Sequence, residues 1–219
     1  MSNYVDVASS RVLPLRPYDS LADYISAEGG KGLEAARAVS SETIIEELAA
    51  SGLRGRGGAG FPTGVKWRTI KSFASPLLRT SVVVNAAEGE PGTFKDRAII
   101  RANPYAVIEG ALIAAHAMDA RSVVIASKAS FAAEITRLQA AIAEVAAAGW
   151  LADVDLTVVE GPSEYLLWRR DRAARSDRRP PAVPANRTAV PSGDRRGRRI
   201  GSGCFIGQRV ACERADGRD

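Results

Sequence analysis

Three short β-branched runs alternate with helix-length apolar stretches over the middle of this chain, and that rhythm limits the fold more than any other feature. Ser81–Val84 and Ser122–Ala126 read as buried strands, and Val154–Val159 as a third. Between the first two, Asn103 and Pro104 form a cap and first-turn pair that opens an apolar helix to about Met118. Between the second and third, Ser130–Ala148 is an alanine-rich amphipathic helix ending at Gly149. Strand, helix, strand, helix, strand in this order predicts an α/β layered domain with a mostly parallel sheet. No internal repeat interrupts it.

Upstream, an extended start precedes short helical stretches around Leu21–Ile25 and Gly32–Val39. Ser41–Ala50 is a clearer helix: Glu42 suits the positive end of its dipole, Ile44, Ile45 and Leu48 make one face, and Gly52 can end it. No apolar run reaches the roughly 18 residues of a membrane span. The N-terminus shows no basic patch followed by an apolar core, so no signal peptide and no direct membrane insertion are expected. Cys204 and Cys212 are the only cysteines, which excludes a disulfide framework and a chain-internal four-cysteine metal site and fits a reducing cytoplasm.

The net charge of +5 is unevenly placed. Residues 168–219 hold 14 Arg, no Lys and 6 acidic groups, so the tail carries +8 and the preceding 167 residues carry −3. The body is mildly acidic, and no nucleic-acid partner is expected for it. The tail has no helical or strand periodicity and is expected to be disordered.

Two segments carry chemistry. Gly52-Leu53-Arg54-Gly55-Arg56-Gly57-Gly58-Ala59-Gly60-Phe61-Pro62-Thr63-Gly64-Val65-Lys66-Trp67 places six glycines in its first thirteen residues. Glycine on that scale disfavours helix and sheet interiors and lets several N–H groups point inward as a phosphate nest. Arg54, Arg56 and Lys66 add positive charge, and Phe61 and Trp67 offer flat surfaces for a ring. No Gly-Lys-Ser/Thr closes the loop, so it is not a Walker loop. The competing reading is a solvent-exposed surface loop. The second segment, Asn85-Ala86-Ala87-Glu88-Gly89-Glu90-Pro91-Gly92-Thr93-Phe94-Lys95-Asp96-Arg97, follows a strand directly, where α/β sheets bind ligands. Asn85, Glu88 and Glu90 can hydrogen-bond a ribose or ring N–H. A solvated charged turn is the alternative, stronger for Lys95, Asp96 and Arg97, which can pair with one another.

Together these segments resemble the FMN- and NADH-binding flavoprotein subunit of respiratory NADH dehydrogenase (complex I). The same module occurs in NAD-dependent formate dehydrogenase β and hydrogenase diaphorase subunits. The resemblance covers about residues 20–167. It implies a Rossmann-like domain at 41–167 after an N-terminal extension at 1–40. It implies FMN with its phosphate near Gly55, Arg56, Gly57, Gly58, Ala59, Gly60, Pro62, Thr63, Gly64 and Lys66. Asn85, Glu88 and Gly89 would lie near the flavin, and NADH near Phe61 with Glu90 close to its ribose. The implied reaction is hydride transfer from NADH to FMN. Implied partners are a thioredoxin-like 2Fe-2S subunit and other dehydrogenase subunits, in the cytoplasm or peripheral at the inner face of a membrane. The family often has an acid where this chain has Ala87, which removes one flavin contact.

After Gly161-Pro162-Ser163-Glu164-Tyr165-Leu166-Leu167 the family continues G-E-E-T-A-L-L-E, whereas this chain reads Trp168-Arg169-Arg170-Asp171. Arginine without lysine is the signature of GC-rich DNA in a wrong frame. A permitted back-translation of Trp168–Ala185, shifted by one base, reads G-D-E-T-A-L-L-E-V-I-D-G-R-P-P-F-P-R. A frameshift near Leu167–Trp168 is therefore expected, leaving a truncated FMN/NADH domain without the family's 4Fe-4S cluster ligands. The alternatives are a nucleotide-binding fragment without turnover, or a non-functional product of a damaged gene. His116, Cys204, Cys212 and Trp150 read as structure rather than chemistry.

Overall fold

A computed structural model describes residues 13–55, 60–74 and 78–161, together with the backbone of 207–214. Four short helices come first: α1 (Leu21–Ser26), α2 (Lys31–Arg37), α3 (Ser41–Ala50) and α4 (Thr63–Ser72). They are followed by β1 (Leu78–Ala86), α5 (Lys95–Ala102), α6 (Pro104–Ala117), β2 (Ser122–Lys128), α7 (Ala132–Ala147), β3 (Asp155–Gly161) and β4 (Gly207–Arg214). The sheet order is β3-β2-β1-β4. β1 pairs parallel with β2 from Ser81 opposite Ser122 to Ala86 opposite Ser127, and β2 pairs parallel with β3 from Ser122 opposite Asp155. The mixed helix–strand chain with a parallel three-stranded sheet is the α/β arrangement the sequence predicts.

Two helix starts follow the caps that the sequence provides. Ser20 and Asp23 form a reciprocal capping box on α1, and Asn103 accepts a hydrogen bond from the Ala106 amide with Pro104 in the first turn of α6. Three helices end in the same left-handed turn. The residue after each cap, Glu28 (φ 68°), Asp119 (φ 51°) or Gly149 (φ 75°), has positive φ. The amide one residue further on, of Gly29, Ala120 or Trp150, returns to Tyr24, Ala115 or Val145 at 2.8–2.9 Å.

The core lies between the sheet and α6. Val82, Val84, Val123 and Ile125 are fully buried, as are Tyr105, Ile108, Ala114 and Ala115 of α6. Leu21, Tyr24, Leu33 and Ala36 of α1 and α2 belong to the same cluster, so residues 21–37 pack on the domain. The join is a buried carboxylate. Glu109 on α6 accepts hydrogen bonds from the Tyr24 hydroxyl (2.6 Å) and from the amides of Gly30 (2.9 Å) and Leu33 (2.9 Å), which start α2.

Several expectations change. The strand expected at 81–84 runs from 78 to 86. Two helices add to the sequence reading: α4 begins on the last two residues of the expected Gly52–Gly64 loop, and α5 begins on Lys95–Arg97, where a solvated turn was the alternative. Trp67, expected as a ring surface for a ligand, is buried in the core with 3% exposure, because α4 turns it inward. In the basic tail, Gly207–Arg214 forms a strand antiparallel to β1 where disorder was expected. β1 otherwise ends the sheet with unpaired amides and carbonyls, and main-chain pairing to such an edge needs no side-chain pattern. The expectations for 168–206 and 215–219, and the extended start at 1–12, lie outside the described residues.

Candidate functional site: a glycine neck and the loop after the first strand

The glycine-rich segment closes on itself before α4 begins. The Gly55 amide donates to the Phe61 carbonyl (2.8 Å) and the Thr63 amide to the Leu53 carbonyl (2.9 Å), and Arg54 bridges to Pro62. The Arg54 guanidinium also donates to the Gly60 carbonyl at 3.3 Å. The result is a narrow neck; Arg56, Gly57, Gly58 and Ala59 lie outside the described residues. Gly60 has φ +56° and Gly52 φ +66°, with open space where a Cβ would stand.

The neck opens onto the first turn of α4. Pro62 is the cap and has no oxygen in its side chain, and no acidic residue occupies the first turn. The positive end of the helix therefore has no carboxylate of its own, while Lys66 follows within one turn and Arg54 stands on the neck. This is a physical fit to an anionic phosphate. Gly64 has a different job: a Cβ there would lie 2.6 Å from the Ala49 backbone, so it allows α3 and α4 to pack closely. Phe61 is 54% exposed on the neck, free to offer a ring face.

The second segment leaves the carboxyl end of β1 through an Asx turn, with Asn85 Oδ1 accepting from the Ala87 amide at 3.1 Å. Glu90-Pro91-Gly92-Thr93 is a tight turn. Thr93 donates through its amide (3.2 Å) and hydroxyl (2.8 Å) to the Glu90 carbonyl, and Gly92 supplies φ +78°. Gly89 and Glu90 are half-buried. Glu88 points inward and is 3% exposed. Its Oε1 accepts from the Asp96 amide (3.3 Å) and its Oε2 from Arg97 Nε (3.3 Å), so it caps the start of α5 from a distance. Lys95 pairs with Asp96 at 3.0 Å, but Arg97 pairs with Glu88 instead of its neighbours.

Sequence reasoning missed the surroundings of Arg97. Its guanidinium lies 5.0 Å from the Phe94 ring centre and 4.9 Å from that of Phe131. The signal was present in part, since Phe94 and Arg97 are three apart, but Phe131 arrives from the end of β2. Among the described residues no group of three His, Cys, Asp or Glu side chains is placed to hold a metal ion. No single described helix is long and apolar enough to cross a membrane.

Comparison with known proteins gives this geometry a family. A Rhodobacter capsulatus component of NADH-quinone oxidoreductase is 41% identical over 160 residues, covering 68% of this chain and 36% of that protein. The mitochondrial NADH-ubiquinone oxidoreductase 51 kDa subunit of Neurospora crassa is 38% identical over 159 residues, covering 68% and 32%. The chain thus spans about a third of the length of these relatives. A crystal structure of an NAD+-reducing NiFe-hydrogenase in the H2-reduced state matches at TM-score 0.57 and 31% identity, covering 68% of this chain and 26% of that one. The model of the Nuo51 FMN-binding domain matches residues 48–168, which hold the glycine neck, the Asn85–Arg97 segment and the parallel sheet, so the chain belongs to that family.

Proposed function

We propose that this chain binds FMN and accepts NADH as hydride donor, as the flavin-binding part of an NADH dehydrogenase flavoprotein subunit. The observation that carries the reading is the uncapped, acid-free start of α4 behind a glycine neck, flanked by Arg54 and Lys66. These groups would hold the FMN phosphate, with Gly55 and Gly60 letting the backbone approach it. The flavin, when bound, supplies the acceptor for a hydride from the nicotinamide. The chain's own residues bind and orient. Asn85 and Gly89 would stand beside the ring, Phe61 would present its exposed face to the dinucleotide, and Glu90 would accept from a ribose hydroxyl. Glu88, committed to α5, would hold this loop in shape. The thioredoxin-like 2Fe-2S subunit and further dehydrogenase subunits are the proposed partners, with the assembly at the cytoplasmic face of a membrane.

We further infer that residues from Trp168 onward are read out of frame. The family match ends at residue 168, and residues 168–219 hold 14 Arg against one in 129–167, with no Lys in either stretch. The acidic G-E-E-T stretch that supports the flavin would then be absent, leaving weak flavin retention and slow turnover. NADH oxidation with ferricyanide as acceptor, by the chain as given and by a version restored by one base at codon 168 and extended, tests this. Turnover restored by the correction is the expected result. Equal, fast turnover by both contradicts the frame reading, and absence of flavin-dependent oxidation in both contradicts the function.

A further inference from the structure

We propose that Arg97 is a positioning residue for the Asn85–Glu90 segment, and that Phe131 holds it in place. The proposal rests on the FMN reading above and adds a control point to that site.

A carboxylate that follows a strand end in a ligand-binding loop has two options: it can face the ligand or the protein. Glu88 faces the protein, with one oxygen on the Asp96 amide and the other on Arg97. Both contacts are 3.3 Å, the long end of hydrogen-bond range, and Arg97 offers only Nε instead of its two-pronged fork. Such a hold keeps its direction only if the guanidinium is itself fixed. Two rings fix it: Phe94 on the same segment and Phe131 on the turn after β2.

Phe131 is the anchored partner. Its amide donates to the Lys128 carbonyl at 2.9 Å, so it sits on the turn between β2 and α7. Lys128 Nζ lies 5.6 Å from the centre of its ring. Phe94, by contrast, is 64% exposed. The chain of contacts therefore runs from the end of β2 through Phe131 and Arg97 to Glu88, and from Glu88 to the backbone between Asn85 and Glu90. Neighbouring Ala86 and Ala87 are buried, so the loop cannot shift at its root without disturbing the core. Its shape is set from the turn that follows β2.

The test uses the full 219-residue chain with Phe131→Leu, which keeps apolar bulk and removes the ring, and Phe131→Tyr, which keeps the ring. Arg97→Lys keeps the charge and loses the planar group, and it serves if Phe131→Leu does not fold. FMN affinity is read by fluorescence titration and Asp96 amide exchange by NMR. Phe131→Leu and Arg97→Lys should each weaken FMN about tenfold and speed Asp96 exchange about tenfold, with thermal midpoints close to the parent. Phe131→Tyr should match the parent in both. Parental affinity and Asp96 protection in the ring-less variants, or equal losses in the Tyr and Leu variants, would overturn the proposal. If the parent itself takes no FMN, the titration is made on the frame-restored chain, whose failure to bind would sink the functional reading, and Asp96 exchange alone decides whether the ring holds Arg97 and Glu88.

Discussion

Glu109 is the residue on which the N-terminal helices depend. It is 7% exposed and gathers three donors from Tyr24, Gly30 and Leu33. Replacing it by alanine leaves those donors buried without an acceptor. We expect Glu109→Ala to cost about 3 kcal/mol, read as a lower midpoint in urea unfolding. Its partner Tyr24 should show itself at alkaline pH. Burial, then the hydrogen bond to Glu109 and the charge of that carboxylate, hold the Tyr24 phenol well above its ordinary range. Burial also raises Tyr105, although the Arg137 guanidinium beside it opposes the shift. An unfolded tyrosine loses its proton near pH 10, while folded Tyr24 keeps it. The stability it contributes is thus complete below about pH 10 and is lost as pH rises above that value. Unfolding free energy measured from about pH 9 to pH 11 should fall more steeply for the parent than for Tyr24→Phe. Ala152 offers a change in the other direction. It holds φ 50° on the surface without the helix-end turn that makes Glu28 and Asp119 tolerable, so Ala152→Gly should stabilise by up to about 1 kcal/mol. An unchanged or lower thermal midpoint would contradict that.

Among the elements, α4 carries the proposed phosphate site, and its close packing on α3 is the most sensitive point. With Gly64 facing the Ala49 backbone at 2.6 Å, Gly64→Ala must push the two helices apart. The expected cost is about 1–3 kcal/mol despite alanine's better helix propensity, checked by thermal unfolding. α4 was hard to read from sequence for the same reason. It opens with Pro62, Thr63 and Gly64, two of them residues that usually interrupt helices, and only Gly64 and Trp67 are fully turned inward. α5 was hidden differently. Lys95, Asp96 and Arg97 look like a solvated turn, yet Asp96 is 1% exposed and Ile100 shares its buried face. Where caps and apolar faces agree, the reading was close: Ser41–Ala50 matches α3 to the residue, and Asn103 with Pro104 marks the start of α6. The inward turn of Glu88 was beyond such reasoning, because its partners lie on a helix the pattern did not reveal.

At the level of the molecule, the three parallel strands follow from the alternation of strand and helix signals, since each helix must return the chain across the sheet. β4 had no such signal, because pairing along an open edge is a property of the backbone and of what lies nearby. The nucleotide-binding proposal starts from residue chemistry: glycines clustered with cations before a helix, then carboxylates after a strand. What the sequence could not show was the division of labour, in which Trp67 and Gly64 serve packing and Glu88 turns inward to the Asp96 amide and Arg97. The account stands on the start of α4 as the phosphate site. Its most direct test is an FMN fluorescence titration of the frame-restored chain and of the same chain with Lys66→Glu. Replacing an attraction by a repulsion next to a phosphate should weaken binding by about 100-fold or more, with an unchanged circular-dichroism spectrum. Equal FMN affinity in the two proteins would contradict the assignment of the site.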